Sequence, residues 1–369
     1  MARAPAFQAG YAGSIPVTRS MRAVVMEAMG EPLAAVDLPD PSPEPTEVIV
    51  AVDACGICGS DLHAAVHLPL DGTVLGHEFC GTVVATGRDA TTFTLGSPVV
   101  GLSLVTCGVC EACRAGRIRK CAQASMVGFE RPGAFAEFIA LPESSLLALP
   151  APLDYRHGAL VEPLAVARRA VQRSAATPGS TVVVLGAGPV GLAVTLWLAH
   201  LGAEQIVVSD PIAARREAAT LAGATATVDP TKGDTAGAVA EACGGAPQHV
   251  IECVGVPGLL DEAIAVAGVD AIVSVAGVCM EPETVTPILA MVKELDLRFS
   301  FFYTRDDMVA TIDEMAAGRL DPVGLVTGEV DLDGLPAKFA SLLAPAATSP
   351  ADAKVLVRPR QDSNLRPSA

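Results

Sequence analysis

The stretch TVVVLGAGPVG, residues 181–191, decides the fold of this 369-residue chain. Its first five residues form an apolar run typical of a buried strand, and the uncharged Leu192–Ala203 that follows has the composition of a helix. A G-x-G-x-x-G motif between a strand and a helix is typical of a dinucleotide-binding turn. The hydropathy of residues 181–203 would also fit a membrane helix. Four interrupting glycine and proline residues favour a buried strand, a turn and a buried helix in a soluble α/β protein.

Each glycine of the motif has a separate task. Gly186 permits the tight turn, Gly188 lets the backbone approach a pyrophosphate, and Gly191 allows the helix to pack on the strand. The amino terminus of the helix attracts the negative charge of the phosphates. The cofactor-binding residues predicted in this turn are Gly186, Gly188, Pro189, Val190 and Gly191.

Asp210 indicates which dinucleotide is bound. It lies nineteen residues after Gly191, at the end of the next predicted strand. A carboxylate at this point accepts hydrogen bonds from both ribose hydroxyls and repels a 2′-phosphate, which favours NAD over NADP. Asp210 also fits the N-cap of a helix over Ile212–Leu221. Arg215 complicates the choice, because an arginine there can lie against adenine or bind a phosphate.

The pattern of apolar residues along the chain changes at about residue 165. Beyond it, apolar strands alternate with alanine-rich helices, which predicts a parallel sheet. The strands predicted there are Thr181–Leu185, Gln205–Ser209, His249–Cys253 and Ala271–Ala276. Residues 22 to about 150 instead carry short β segments separated by proline and glycine, which predicts a compact barrel-like β domain. Its predicted strands include Glu47–Asp53, Gly81–Thr86 and Phe135–Leu141.

The remaining segments complete the predicted domain plan. A strand-like Asp296–Tyr303, a helix near Asp306–Ala317 and a β run at Lys354–Val357 follow. We therefore assign 21–160 to a catalytic domain completed by 297–359, and 161–296 to a dinucleotide-binding domain. Residues 1–20 and 360–369 show no periodicity and are predicted to be a disordered extension and a disordered tail.

The charge of the chain excludes two classes of partner. It has 41 acidic and 25 basic residues, a net charge of −16 and a pI near 4.7. Nucleic acids and anionic membrane surfaces both require clustered positive charge, so neither is expected as a partner. The first twenty residues lack the apolar core of a signal peptide. Ten cysteines are too sparse for a disulfide scaffold, which predicts free thiolates in the cytoplasm.

Two sets of metal-ligand residues fall within one short region. The first set consists of Cys107, Cys110, Cys113 and Cys121. Its spacing, C-x2-C-x2-C-x7-C, can close a tetrahedral thiolate cage of the kind that holds a structural zinc. An iron–sulfur cluster also uses closely spaced thiolates, but the seven-residue gap and the missing Cys-Pro pair favour zinc. In the second set, Cys58 and His77 need a third ligand, and such an incomplete shell leaves room for substrate.

The motifs around the second set resemble those of the zinc-dependent medium-chain alcohol dehydrogenases. These motifs are CGICGSDLH at 55–63, GHE at 76–78 and VEPLAV at 161–166. The last resembles the polyol, threonine and butanediol dehydrogenase branch, where a glutamate replaces the third ligand cysteine. The resemblance runs from about Met21 to Pro359. It implies an α/β fold with a GroES-like β-barrel catalytic domain and a Rossmann domain with a doubly wound parallel sheet.

The resemblance also implies the ligands of a catalytic zinc. Cys58 and His77 match two of them, and Glu162 matches the third ligand or a residue reached through water. Cys55 is set aside, because the ligand cysteine of the family is the one after Gly-Ile. Glu78 is a second choice. Adjacent side chains on a strand point to opposite faces, so Glu78 can share a metal with its neighbour only if the backbone is distorted.

Three further residues match positions that assist this zinc. Asp61 resembles the carboxylate that orients the histidine ligand and fixes its tautomer, although a loop cap is the alternative. Ser60 and His63 match the proton relay of the family, in which the serine contacts the alcohol and the histidine passes the proton outward. An ordinary surface-loop histidine is the alternative for His63.

The expected activity is hydride transfer between NAD and a secondary alcohol, diol or polyol, with two zinc ions per subunit. Zinc lowers the pKa of the bound hydroxyl group, and the nicotinamide accepts the hydride. The short Ala64–Leu75 loop predicts an open substrate site. Two alternatives stay open: a zinc-free NAD(P)H-dependent reductase of the same superfamily, and a non-enzymatic NAD- or zinc-binding protein. The resemblance also suggests a homodimer or homotetramer that associates through Asp296–Tyr303.

Overall fold

The computed structural model describes residues 19–344 and 352–359. The extension predicted at residues 1–20 therefore lies outside the described residues except at its end, where Ser20 begins the first strand. The tail predicted at 360–369 also lies outside them.

The first part of the described chain is built mainly of β-strands. Its strands are β1 (Ser20–Met26), β2 (Leu33–Pro39), β3 (Glu47–Gly56), β4 (Thr73–Val74), β5 (Glu78–Thr86), β6 (Pro98–Gly101), β7 (Leu104–Val105), β8 (Ser125–Met126), β9 (Phe138–Pro142) and β10 (Leu146–Ala148). Its helices are α1 (Gly59–His67) and the single turn α2 (Glu111–Arg114), with short 3-10 turns at Ile118–Lys120 and Glu143–Ser145. Most of the apolar residues of these strands form one buried core, and a few, such as Cys80 and Val100, belong instead to the core around α3.

The second part alternates strands with helices, as predicted. Its strands are β11 (Thr181–Leu185), β12 (Gln205–Ser209), β13 (Ala226–Val228), β14 (His249–Glu252), β15 (Ile272–Val275), β16 (Asp296–Phe299), β17 (Val326–Val330) and β18 (Lys354–Val357). Its helices are α3 (Tyr155–Ser174), α4 (Pro189–Leu201), α5 (Ala213–Leu221), α6 (Thr235–Cys243), α7 (Leu259–Val266), α8 (Pro287–Val292), α9 (Arg305–Ala316) and α10 (Leu335–Leu343), with 3-10 turns at Pro230–Lys232 and Val323–Leu325.

Six of these strands form a parallel sheet in the order β13-β12-β11-β14-β15-β16. All of the adjacent pairs are parallel, which confirms the predicted pairing. The three valines of β11, Val182, Val183 and Val184, are fully buried, because helices cover both faces of such a sheet. The predicted strand Asp296–Tyr303 ends earlier, at Phe299, and Phe302 adopts a positive φ of 54° that an extended strand does not contain.

The largest sheet of the β part contains two strands from the end of the described chain. Its order is β10-β6-β5-β3-β18-β17, and β9 also pairs with β3. Strand β18 lies between β3 and β17, where all four of its residues are buried. The prediction that Lys354–Val357 returns to the first domain is therefore confirmed.

A single 20-residue helix, α3, joins the two parts. It begins at the N-cap Asp154, whose carboxylate accepts hydrogen bonds from two backbone amides of the first turn. Its buried residues pack on β5 and β3 at one end and on β14, β15 and α4 at the other. The predicted domain boundary at 160/161 falls inside α3, and that at 296/297 falls inside β16. Both boundaries stay predictions.

The uncharged segment 181–203 folds as β11, a turn and α4, as predicted. Helix α4 has 13 residues and ends at Gly202, whose φ of +83° is suited to glycine. Among residues 19–344 and 352–359, we find no helix with the length and apolar character that membrane crossing requires.

Candidate active site and metal centres

The predicted zinc ligands Cys58 and His77 meet at a buried site beside Glu78. One ligand atom from each of these three residues lies within 4.8 Å of the other two. Two ligands of one zinc ion lie at most about 4.6 Å apart, so small side-chain movements suffice to share a metal. His77 lies just before β5, whose first residue is Glu78, so the strand alternation that would point the two side chains to opposite faces does not apply between them. A thiolate, an imidazole and a carboxylate are a donor set that suits zinc.

The carboxylate of Asp61 lies against the Nδ1 side of the His77 imidazole. Its Oδ1 lies 3.2 Å from Nδ1 of His77, an ion-pair distance without a straight N–H···O alignment. The carboxylate is fully buried and accepts hydrogen bonds from the backbone amides of Cys58 and Gly76. Burial by itself lowers the pKa of His77, but the negative charge of Asp61, with a contribution from Cys58, outweighs it and raises that pKa well above its ordinary value. Because Asp61 occupies the Nδ1 side, Nε2 is left to face a metal.

The carboxylate of Glu78 forms an ion pair with Lys354, a residue that the sequence analysis missed. Lys354 of β18 donates to both carboxylate oxygens, at 2.8 and 2.7 Å, and to the carbonyl oxygen of Ile57 at 3.1 Å. Both side chains of the pair are almost completely buried. Gly56 makes room for the carboxylate, because a Cβ at Gly56 would collide with Glu78 Oε2. Glu78 thus lies beside the metal ligands while its charge is already neutralised.

Glu162 approaches the site from α3 through a buried hydrogen-bond chain. Its Oε1 accepts a 2.7 Å bond from the hydroxyl of Ser103, which also lies 3.3 Å from the carbonyl oxygen of His77. The Tyr303 hydroxyl in turn contacts the backbone amide and hydroxyl of Ser103, at 2.8 and 2.9 Å. Burial raises the pKa of Glu162 to about 7, although the positive charge of His77 opposes the shift. Glu162 is outside the three-residue cluster formed by Cys58, His77 and Glu78.

The two predicted relay residues lie on α1 but are not bonded to each other in the described part of the chain. The Ser60 hydroxyl is 3.3 Å from Nε2 of His77, which places it on the side of the imidazole that faces a metal. His63 lies one turn further along α1 and stacks on His67, with ring centroids 6.2 Å apart. Burial, followed by the charge of His67, lowers the pKa of His63.

The four cysteines of the first set form a compact cluster. Cys110 caps the short helix α2, and its sulfur accepts a hydrogen bond from the backbone amide of Cys113. Three sulfur–sulfur distances are 3.4, 3.6 and 3.9 Å, and all ten cysteines are free. A tetrahedron with zinc–sulfur bonds of about 2.3 Å has edges of about 3.8 Å, so the cluster has the dimensions of a zinc cage. Backbone amides of Val109 and Cys110 lower the pKa of Cys107 to about 6, which favours the thiolate.

The glycine turn after β11 has the geometry expected for a dinucleotide. Gly186 has a φ of +94°, and a Cβ on Gly191 would collide with the carbonyl oxygen of Gly186. A Cβ on Gly188 would meet no atom within 4 Å, so this glycine faces open space where a ligand can approach. Gly188 is also the N-cap of α4, with Pro189 and Val190 in its first turn.

Asp210 lies at the end of β12, next to this turn. It is 3% exposed, and its two oxygens accept 2.8 Å hydrogen bonds from the backbone amides of Ala187 and Ile212. The N-cap of α5 is Ile212, so Asp210 is not the cap of that helix. The Nε atom of Arg215 is buried without a hydrogen-bond partner among the described residues. Arg216, which the sequence analysis missed, binds the carbonyl oxygen of Asp210 at 2.6 Å.

Comparison with known proteins now places the chain in a family. Residues 44–151 match the family model "Alcohol dehydrogenase GroES-like domain", and residues 189–317 match "Zinc-binding dehydrogenase". Sorbitol dehydrogenase of Bacillus subtilis is 31% identical over 86% of this chain and 92% of its own length. The chain belongs to the zinc-dependent medium-chain alcohol dehydrogenases. The predicted GroES-like and Rossmann folds and the predicted polyol branch are therefore confirmed.

Two other similar proteins come from the same dehydrogenase family. Scyllo-inosose 3-dehydrogenase of Thermotoga maritima is 37% identical over 61% of this chain and 64% of its own length. The chain thus spans somewhat less than two thirds of that relative. The crystal structure of 2R,3R-butanediol dehydrogenase from Bacillus subtilis has a TM-score of 0.83 and 30% identity, over 92% of this chain and 100% of that one.

Around the candidate zinc site of this chain, the sequence analysis missed three residues, Lys354, Ser103 and Tyr303. Lys354 carried a signal, because a lysine within the apolar run KVLV must be paired if the strand is buried. Ser103 and Tyr303 carried none, because their contact with Glu162 depends on three segments that are far apart in the chain.

Proposed function

We propose that this chain is a zinc-dependent oxidoreductase that transfers hydride between a secondary alcohol, diol or polyol and NAD. The observation that carries the proposal is the pair formed by the half-buried Cys58 and the buried His77, with Asp61 on the Nδ1 side of the imidazole and the hydroxyl of Ser60 on the Nε2 side. The family relationship and the open space at the glycine turn support the binding of the NAD cofactor.

Each residue of the site would have a definite task. Zinc, when bound, supplies a Lewis acid that lowers the pKa of the substrate hydroxyl group. Cys58 and His77 would hold it, and Asp61 would keep the proton of the imidazole on Nδ1. Ser60 would accept the substrate proton and pass it towards His63, whose lowered pKa leaves it neutral and able to receive a proton.

Glu162 is the proposed third ligand, directly or through water. Glu78 is closer to Cys58 and His77, but its two oxygens are occupied by Lys354. Glu162 has only one oxygen bonded, to Ser103, so its other oxygen is free to face the site among the contacts described. This difference supports Glu162 over Glu78.

The proposed function is tested by a panel of alcohols, diols and polyols, with NADH formation followed at 340 nm and zinc measured in the same preparation. We expect turnover of secondary alcohols or diols and about two zinc ions per chain. A zinc-free protein that reduces carbonyls would favour the reductase alternative. NAD binding without turnover of any alcohol would favour the non-enzymatic one. Preference for long primary alcohols would contradict the open site predicted from Ala64–Leu75.

We propose NAD over NADP from the position of Asp210. Asp210→Asn is expected to lower the ratio of kcat/KM for NAD to that for NADP by about 10- to 100-fold. It removes charge-assisted hydrogen bonds to the ribose and the repulsion of a 2′-phosphate. Asparagine keeps an acceptor oxygen for one of the two backbone amides. Glu217→Gln, on the exposed side of α5, is the control and should leave the ratio unchanged. A wild-type preference for NADP would contradict the assignment.

We propose a homo-oligomer that associates through the free edge of β16. In the described residues β16 pairs only with β15, and Phe299 and Phe301 beside that edge are 63% and 64% exposed. An uncovered strand edge with exposed aromatic side chains favours pairing with a second copy.

Phe299→Lys is expected to convert this oligomer to the 37.6 kDa monomer, because it places a charge in the apolar contact. Light scattering measures the mass. Leu221→Lys, at a residue of α5 that is 90% exposed, is the matched control and should leave the mass unchanged. A monomeric wild-type protein would contradict the proposal.

We also propose a cytoplasmic location. It rests on the ten free cysteines, which would be exposed to oxidation in a secretory compartment. Cell fractionation with a compartment marker tests it.

A further inference from the structure

Ser103 and Tyr303 form a buried hydrogen-bond chain that ends on the carboxylate of Glu162. The three residues come from different parts of the fold: Ser103 lies between β6 and β7, Glu162 lies in α3, and Tyr303 follows β16. Their exposed fractions are 0%, 5% and 1%. We propose that Ser103 and Tyr303 are positioning residues that hold the Glu162 carboxylate beside His77, with one of its oxygens left for the catalytic zinc. This inference rests on the proposed function.

The direction of the hydrogen-bond chain is fixed by its first donor. The backbone amide of Ser103 can only donate, and it donates to the Tyr303 hydroxyl oxygen at 2.8 Å. The Tyr303 hydroxyl in turn donates to the Ser103 hydroxyl oxygen at 2.9 Å, which leaves the Ser103 proton for Glu162 Oε1 at 2.7 Å. Burial raises the pKa of Tyr303 well above its ordinary value, so this hydroxyl keeps the proton that it donates.

Ser103 fixes the carboxylate of Glu162 relative to a predicted zinc ligand. Its hydroxyl oxygen lies 2.7 Å from Glu162 Oε1 and 3.3 Å from the carbonyl oxygen of His77, so one atom contacts both residues. Among residues 19–344 and 352–359, Ser103 is the only residue that donates a hydrogen bond to this carboxylate. Carboxylates that bind a metal are commonly held by such a hydrogen bond, which orients the oxygen that faces the ion.

Tyr303 contributes only through Ser103. Besides Glu162, the Ser103 proton has an alternative acceptor, the carbonyl oxygen of His77. The Tyr303 hydroxyl occupies a lone pair of the Ser103 oxygen and so keeps the Ser103 proton directed at Glu162. Without that hydroxyl, Ser103 can rotate towards the carbonyl group, and the carboxylate of Glu162 loses its fixed position.

The test measures metal binding by the full-length protein without substrate or NAD. Competition with a chelator gives the zinc affinity, and Co²⁺ in place of zinc reports the ligand set through its visible spectrum. Cys58→Ser, which is expected to keep only the ion of the four cysteines, supplies the spectral background. Tyr303→Phe and Ser103→Ala should each weaken zinc binding at the catalytic site about 10-fold. Glu162→Gln should weaken it at least as much, and the cobalt spectrum should change in all three variants.

Two comparisons show whether the effect belongs to the hydrogen-bond chain. The double variant Ser103→Ala/Tyr303→Phe should bind zinc no more weakly than Ser103→Ala alone, because Tyr303 acts through Ser103. Tyr155→Phe and Ser274→Ala are the matched controls and should leave the zinc affinity and the cobalt spectrum unchanged. Each has a hydroxyl bonded elsewhere, Tyr155 to a carboxylate and the buried Ser274 to a backbone carbonyl of α3.

Circular dichroism checks that each variant is folded, and Tyr303→Phe, which removes a single oxygen atom, provides the test if Ser103→Ala does not fold. Unchanged metal binding in the Ser103 and Tyr303 variants, beside a loss in Glu162→Gln, would overturn the inference and leave the proposed function intact. Unchanged metal binding in Glu162→Gln would also overturn it, because Glu162 would then hold no metal. Failure to turn over any alcohol would contradict the proposed function alone, since neither metal measurement requires turnover.

Discussion

Cys58→Ser is expected to lose one of two zinc ions per chain and at least about 1,000-fold in kcat/KM. The serine hydroxyl is a poor zinc ligand at neutral pH, and His77 with one carboxylate would be left to hold the ion. Metal content by native mass spectrometry and NADH formation with the best alcohol of the panel measure the two effects. The four-cysteine cluster is separate from Cys58, so the second zinc should remain.

Cys55→Ser is the matched control for this experiment. Cys55 is three residues away, buried, and its thiol contacts the carbonyl oxygen of Gly56 instead of the cluster. Burial raises the pKa of Cys55 well above its ordinary value, which keeps it a neutral thiol. Cys55→Ser should keep both zinc ions and most of the activity. Loss of zinc in Cys55→Ser but not in Cys58→Ser would show that the ligand had been assigned to the wrong cysteine.

Lys354→Met is expected to lower the free energy of unfolding by about 3 to 5 kcal/mol. The methionine leaves the carboxylate of Glu78 buried without its ammonium partner, and that uncompensated charge is the main cost. Urea denaturation followed by circular dichroism measures the change. Zinc affinity should change in the same variant, because Glu78, released from Lys354, lies within reach of the ion shared by Cys58 and His77.

Two variants separate this explanation from a general loss of a lysine. Lys338→Met breaks the partly exposed pair with Asp352 and should cost at most about 1 kcal/mol. The double variant Lys354→Met/Glu78→Met removes both charges and should recover much of the lost stability. If the double variant is no more stable than Lys354→Met alone, the buried charge is not the cause.

Features that depend only on residues close to one another in the chain were predictable from the sequence. Strands β11, β12 and β18 begin and end where they were predicted, because each is a short apolar run bounded by polar or glycine residues. The compact thiolate cluster follows directly from the cysteine spacing. The tasks of Gly186 and Gly191 also followed, because the crowding that demands glycine arises within one turn.

The polar contacts behind the zinc site could not be predicted in the same way. Glu78 and Lys354 are 276 residues apart, and Ser103 and Tyr303 are 200 apart. Neither pair has a spacing that a local pattern can reveal. The start of β5 at Glu78, which leaves His77 outside the strand and lets both residues reach one cluster, is visible only in the structure. The functional roles of all the predicted site residues stay predictions, including those of Ser60, His63, Glu162 and Arg215.

Strand β18 gives this fold a definite order of assembly on the ribosome. The gap between β3 and β17 is filled by residues that are translated about 300 positions after β3. Until those residues leave the exit tunnel, the Glu78 carboxylate lacks its ammonium partner. Strand β3 is then paired with β9 along Glu47–Ala51, but Cys55 and Gly56 lack the pairing that β18 makes. A nascent chain that ends before residue 354 therefore exposes an unpaired carboxylate and a short unpaired strand segment, and unpaired strand edges favour aggregation of folding intermediates.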